Sequence, residues 1–165
     1  MTLRPVGRGY SGAVPRLLAS ALLAIALLGA PAAAGAALPK TLTEHVRRQF
    51  EVRPASISYT GDGTGFLGGS DGTGPLHPGH LRWTAYTARA GDARGVDWLN
   101  DCEPDCAGGT FSAVPVRVHV YRPRSGHFTR MTLRYRYQGH RIVDRRGVRR
   151  QSPGTWAYYI LSFGG

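Results

Sequence analysis

Between Val114 and Tyr137 the chain alternates with a period of two over two adjacent stretches, and few folds accommodate such a pattern. Val114, Val116, Val118 and Val120 fall on one side of an extended strand, and Pro115, Arg117, His119 and Tyr121 on the other. Arg122-Pro123-Arg124-Ser125-Gly126 reads as a turn. The returning stretch puts Met131, Leu133, Tyr135 and Tyr137 on one side and Arg130, Thr132, Arg134 and Arg136 on the other. Pairing the two as a hairpin sends the valines into a core with Met131 and Leu133. It gathers Arg117, His119, Tyr121, Arg130, Arg134 and Arg136 on the opposite face as a candidate anion-binding surface, because a one-residue slip would turn every side chain over. Like charges facing each other across a ladder cost a few tenths to about 1 kcal/mol each. Such a face is therefore either offset by nearby acids, left to solvent, or used to hold an anion, with the tyrosine available for stacking on a sugar or base.

The same reading extends to an all-β domain of six or seven mainly antiparallel strands, a small sandwich or partly open barrel, with turn signals at short intervals. Ser56 to Thr60 is a β-rich alternating run, Phe66-Leu67 a very short strand or hairpin edge, and Leu81 to Thr87 a strand with Trp83 inward. Gly91-Asp92-Ala93-Arg94-Gly95 is expected to turn the chain, Arg141 to Arg150 to form a hairpin around Arg146-Gly147, and Thr155 to Phe163 to lie inside the fold, apolar on both faces.

Upstream of this domain, Arg4, Arg8 and Arg16 precede an apolar run from Leu17 to Leu28, followed by small-x-small triplets up to Ala36. Residues 1–36 thus read as a Sec-type signal peptide with a short helical core, too brief to span a bilayer comfortably. Residues 37–53 read as a linker or short helix, capped by Thr41 and Glu44 with Leu42, Val46 and Phe50 on one face, and residues 54–165 as a single β domain. The expected product is a secreted, extracellular protein with no later membrane-spanning stretch.

Charge is unevenly placed. The whole chain carries a formal +11, yet residues 37–113 hold seven basic and nine acidic side chains, while residues 114–165 hold eleven arginines and the single acid Asp144. The C-terminal half is the positive pole, and the partner class it suggests is an anionic cell-wall polymer or an acidic glycan.

Several familiar patterns occur without the context that gives them chemistry. Gly63-x-Gly65-x-x-Gly68 spells a dinucleotide fingerprint but precedes no helical pattern, and Gly68-Gly69-Ser70-Asp71-Gly72 spells a nucleophile elbow in a chain too short and glycine-rich for the doubly covered sheet it needs. The Asp-Gly-Thr-Gly pair at 62–65 and 71–74 reads as turn chemistry rather than a calcium loop. His77 and His80 alone do not close a zinc site. No metal, cofactor or catalytic residue is assigned from these patterns.

Cys102 and Cys106, the only cysteines, are most economically a disulfide in an exported chain, and they enclose Glu103-Pro104-Asp105 beside the sole asparagine, Asn100. The pattern Leu81-x-Trp83-Thr84, Ala90-x-x-x-x-Gly95, Asn100-x-Cys102-x-Pro104-x-Cys106-Ala107-x-Gly109 and Pro115-Val116-x-Val118, with Tyr59-Thr60-Gly61-Asp62-Gly63 upstream, resembles small secreted proteins of actinobacteria. The resemblance covers residues 54 to 137 and implies export, the disulfide and a compact β domain, with no catalytic residues to carry over. The sequence thus favours a non-enzymatic binding module working through its arginine face. The alternatives are a small hydrolase using His119 or His80 with a carboxylate such as Asp71, and a protease-inhibitor-like protein presenting the Cys102–Cys106 bend.

Overall fold

The computed structural model describes residues 37–44, 49–69 and 79–164. Residues 1–36, where the signal-peptide helix is expected, lie outside the described residues, as do Asp71 and His77. Ten strands are described: β1 (Thr41–Leu42), β2 (Phe50–Glu51), β3 (Ser56–Ser58), β4 (Gly65–Gly68), β5 (Arg82–Tyr86), β6 (Ala90–Asn100), β7 (Phe111–Arg124), β8 (His127–Tyr137), β9 (His140–Ser152) and β10 (Thr155–Gly164). There is no helix among the described residues. Eight strands form one antiparallel sheet in the order β10-β9-β8-β7-β6-β4-β3, curled into a half-barrel, with β5 sharing the outer edge of β6 with β4. Strands β1 and β2 pair separately. The all-β expectation holds, in its partly open barrel form and with more strands than the sequence suggested.

The hairpin at the centre follows the alternation. Val116 faces Tyr135, Val118 faces Leu133 and Val120 faces Met131 across β7 and β8. All six are buried, with Leu133 at 0% exposure, and burying an aliphatic side chain of this kind is worth about 1.5–3 kcal/mol. The strands run further than the turn signals indicate. β7 continues through Pro123 to Arg124, and the turn is Ser125-Gly126 alone, with φ of 49° and 77°. The β8–β9 turn, Gln138-Gly139, repeats this at 48° and 82°. Positive φ at both central residues matches the right-handed twist of the flanking strands, which explains the glycine in each turn.

Five expectations are corrected. Residues 37–53 are neither linker nor helix over their described part: Thr41-Leu42 and Phe50-Glu51 are paired strands, and Leu42 is fully buried. Lys40 bridges to His127 on β8 and Glu44 to Ser58 on β3, so this segment straps the half-barrel across its core side. Gly91 to Gly95 is not a turn but the middle of β6. The glycines are there because side chains of β5 and its approach lie against the backbone: a Cβ on Gly91 would sit 2.8 Å from Tyr86 Cδ2 and 3.0 Å from Trp83 Cζ3, and one on Gly95 would sit 2.8 Å from Leu81 Cδ2. In β5 a register shift between Trp83 and Ala85 changes the inward parity, so that Tyr86 is buried and Ala85 exposed. Arg146-Gly147 is not a hairpin, because β9 runs straight through it with the Tyr159 ring laid over Gly147. β10 is an edge strand rather than an interior one, with Ile160, Leu161 and Phe163 exposed.

Candidate functional site

The register assembles the predicted basic face. Arg94 on β6, Arg117 on β7 and Arg134 on β8 fall in one row, each directly opposite the next. Arg136 faces Arg141 across β8 and β9 in the neighbouring row. All five are exposed, on the side away from the core. They line a shallow depression of about 680 Å³ together with Pro115. The ion pairs among the described residues are Asp92–His119 and Asp144–Arg146, so none of these five guanidiniums has a described carboxylate within salt-bridge distance.

The other predicted members of the face are engaged internally. Arg130 donates from Nη1 to the Thr129 carbonyl (3.0 Å) and to the Tyr159 hydroxyl (3.3 Å). His119 Nδ1 lies 2.7 Å from Asp92 Oδ1, and its ring stacks on Tyr121 at 5.1 Å. The histidine–carboxylate contact considered for a hydrolase therefore forms with Asp92, not Asp71, on an open sheet surface where both side chains are more than a third exposed. Arg94 and Arg141 were missing from the sequence-based face. Arg94 sits in what looked like a turn, and Arg141 becomes visible only once β9 is known to follow β8.

The acidic loop does not neutralise this face. Cys102 and Cys106 are joined by a disulfide, and Glu103–Pro104 is a cis peptide. Asn100 clasps the loop from both sides, accepting from the Cys102 N–H (2.8 Å) and donating to the Cys106 carbonyl (2.9 Å). Gly109 is obligatory beside it, because a Cβ there would fall 2.0 Å from Asn100 Oδ1. Asp101 accepts the Thr110 and Glu103 N–H groups, which hold its carboxyl below the usual range, and Asp105 accepts those of Ala107 and Gly108. These carboxylates hold their own loop together. A C102S/C106S variant is expected to unfold about 2 kcal/mol more easily in urea, the entropy of a five-residue ring. Because the Asn100 and Asp105 bonds remain, its near-ultraviolet spectrum should otherwise match that of the parent.

A second polar centre, not foreseen in the sequence, lies at one end of the half-barrel. Asp97 on β6 and Asp144 on β9 both point inward and are 0% and 1% exposed. The Tyr59 hydroxyl donates to Asp97, 2.9 Å from Oδ1 and 3.1 Å from Oδ2. Arg146 donates from Nε to Asp144 Oδ2 (2.8 Å) and from Nη1 to the Tyr59 carbonyl (3.2 Å), with its guanidinium 4.4 Å from the Tyr59 ring centre. Asp144 Oδ1 is buried without a hydrogen-bond partner. Burial, helped by the charge of Asp144 and opposed by the Tyr59 hydrogen bond and the charge of Arg146, pushes the Asp97 carboxyl up to about 7. Burial likewise raises Asp144, opposed by Arg146. The one available signal was positional. Ile142, Asp144, Arg146 and Val148 share a face by the period of two, and that face carries Val148 into the core.

No protein-family model matches the chain, and neither the curated proteins nor the solved structures contain a match. The fold and these two centres therefore stand on their own geometry.

Proposed function

We propose that the protein is a secreted, non-enzymatic binding module whose arginine face takes an anionic cell-wall polymer or acidic glycan. One observation carries the reading: Arg94, Arg117 and Arg134 stand in a single row across three strands with no carboxylate in reach among the described residues. A row of like charges destabilises a ladder, and a polyanion laid along it relieves that repulsion. The disulfide and the lack, among the described residues, of a helix long and apolar enough to cross a membrane fit an exported protein. The shallow, open depression suits a polymer strand better than an enclosed small molecule.

The test is salt-dependent retention on immobilised heparin and on purified anionic cell wall. The triple variant R117Q/R134Q/R136Q changes only exposed side chains and relieves the repulsion along the row, so it is expected to match or slightly exceed the parent's urea midpoint while eluting at clearly lower salt, with affinity reduced at least tenfold. R130Q, whose guanidinium is already engaged, is expected to bind nearly as the parent does. Unchanged elution of the triple variant overturns the proposal.

A further inference from the structure

We infer that the cavity at the Asp97–Asp144 end of the half-barrel is a binding site for a small primary ammonium ligand, independent of the arginine face. The cavity is about 520 Å³ and is walled by Tyr59, Tyr137 and Phe163, with Asp101 and Glu103 at its rim and the Asp144–Arg146 pair within it. That volume lies in the range of about 300–1,000 Å³ typical of small-molecule sites.

Three features select the ligand. The first is the charge count: Asp101, Glu103 and Asp144 line the cavity against the one guanidinium of Arg146, which is bound to Asp144. With its carboxylates ionised the lining holds two more negative than positive side chains, which an entering cation offsets. The second is the orphaned acceptor. Asp144 Oδ1 is buried without a partner, and a buried acceptor left unsatisfied costs about 1–3 kcal/mol, a deficit that an entering N–H donor relieves. A primary ammonium brings three such donors, whereas a quaternary ammonium brings charge without any. The third is the aromatic wall. Tyrosine and phenylalanine faces attract cations; the Tyr59 face already holds the Arg146 guanidinium, which leaves the Tyr137 and Phe163 rings of the lining for a second cation. The carboxylates at the rim and floor repel anions, so this acidic pocket in a strongly basic protein takes the opposite class of ligand from the arginine face.

The experiment is a nitrogen-15 NMR titration of the folded protein with butylammonium chloride, with tetramethylammonium chloride and sodium butyrate as comparisons. Saturable shifts are expected at the amides of Tyr59, Tyr137, Asp144 and Phe163 with butylammonium, at least tenfold weaker binding with tetramethylammonium, and none with butyrate. D144N is expected to weaken butylammonium at least tenfold and F163A several-fold. Phe163 is exposed near the chain end, so F163A decides the matter if D144N does not fold. Shifts that never saturate, that map to the arginine face, that are equal for tetramethylammonium, or that persist unchanged in F163A overturn the site. Loss of heparin binding in the arginine variants leaves this outcome untouched, so the two proposals fail separately.

Discussion

Lowering the pH from about 8 to about 5 is expected to stabilise the folded protein, by as much as about 3 kcal/mol. The Asp97 carboxyl titrates at about 7 in the folded chain and at about 3.9 in an unfolded one. Between these values the folded state binds more protons than the unfolded state, so stability falls as pH rises through the window and is greatest at its acidic end. At about 1.4 kcal/mol per unit, the roughly two units between about pH 5 and the folded value set the bound for this window, and the full shift of about three units is reached only below the unfolded value. Asp144, also raised by burial, acts in the same direction. Asp62, lowered by the hydroxyl of Thr64, and Asp101, lowered by the Thr110 N–H, have the opposite sign, but their contributions are lost only as pH falls below about 4. The measurement is urea unfolding as a function of pH for the parent and for D97N. Asparagine matches the shape of the protonated acid and does not titrate. The difference between the two curves should carry the larger part of the slope between about pH 5 and pH 8, with Asp144 contributing the remainder, and parallel curves would remove Asp97 as a source.

The second large effect is expected from G68A, which should destabilise by about 3 kcal/mol or more. Gly68 ends β4 with a φ of 77°, and a Cβ there would lie 2.3 Å from the Ala55 carbonyl oxygen. That oxygen accepts the Leu81 N–H at 2.8 Å, so the methyl group would displace the bond that fixes the entry to β5. A left-handed conformation costs a non-glycine residue about 1–2 kcal/mol, and overpacking against backbone adds about 1–3 more. G126A separates the two contributions. Gly126 has the same φ of 77° but nothing within 4 Å of its would-be Cβ, so only the conformational cost of about 1 kcal/mol should remain. Equal urea midpoints for the two variants would refute the steric account.

How far the sequence could be read depended on whether local pattern or distant contact decided each residue's position. The β7–β8 hairpin was legible because one face is buried along its whole length, so the period of two fixed both register and composition. Even the cluster Arg117, Arg134 and Arg136 followed from it. β9 was misread because a glycine in an arginine-rich run looks like a turn, whereas Gly147 is there to receive the Tyr159 ring. The same error at Gly91 and Gly95 has the same cause: glycines required by a close neighbour look, in sequence, like glycines required by a bend. The parity of β5 was lost at a register shift, which leaves no mark in the composition. Asp97 and Asp144 were missed because their burial depends on Tyr59 and Arg146, partners separated from Asp97 by 38 residues and from Tyr59 by 87. The closing strand misled in the opposite way. Its run of apolar residues suggested an interior, but nothing pairs with its outer edge, so Ile160 and Phe163 stand in solvent.

The strap across the core side makes the order of synthesis matter. Leu42 is fully buried, and its carbonyl accepts a hydrogen bond from the Tyr158 hydroxyl across 116 residues of chain. Lys40 pairs with the start of β8 and Glu44 with β3, so the segment made early is held by elements made much later. While the chain is growing, this apolar stretch has no seat, and it can settle only after the last hairpin has formed. Long-range closures of this kind set a low ceiling on folding speed. The seat of the first strand is thus completed by the last one, and a chain stopped short of β10 would lose the Tyr158 hydroxyl that holds the Leu42 carbonyl.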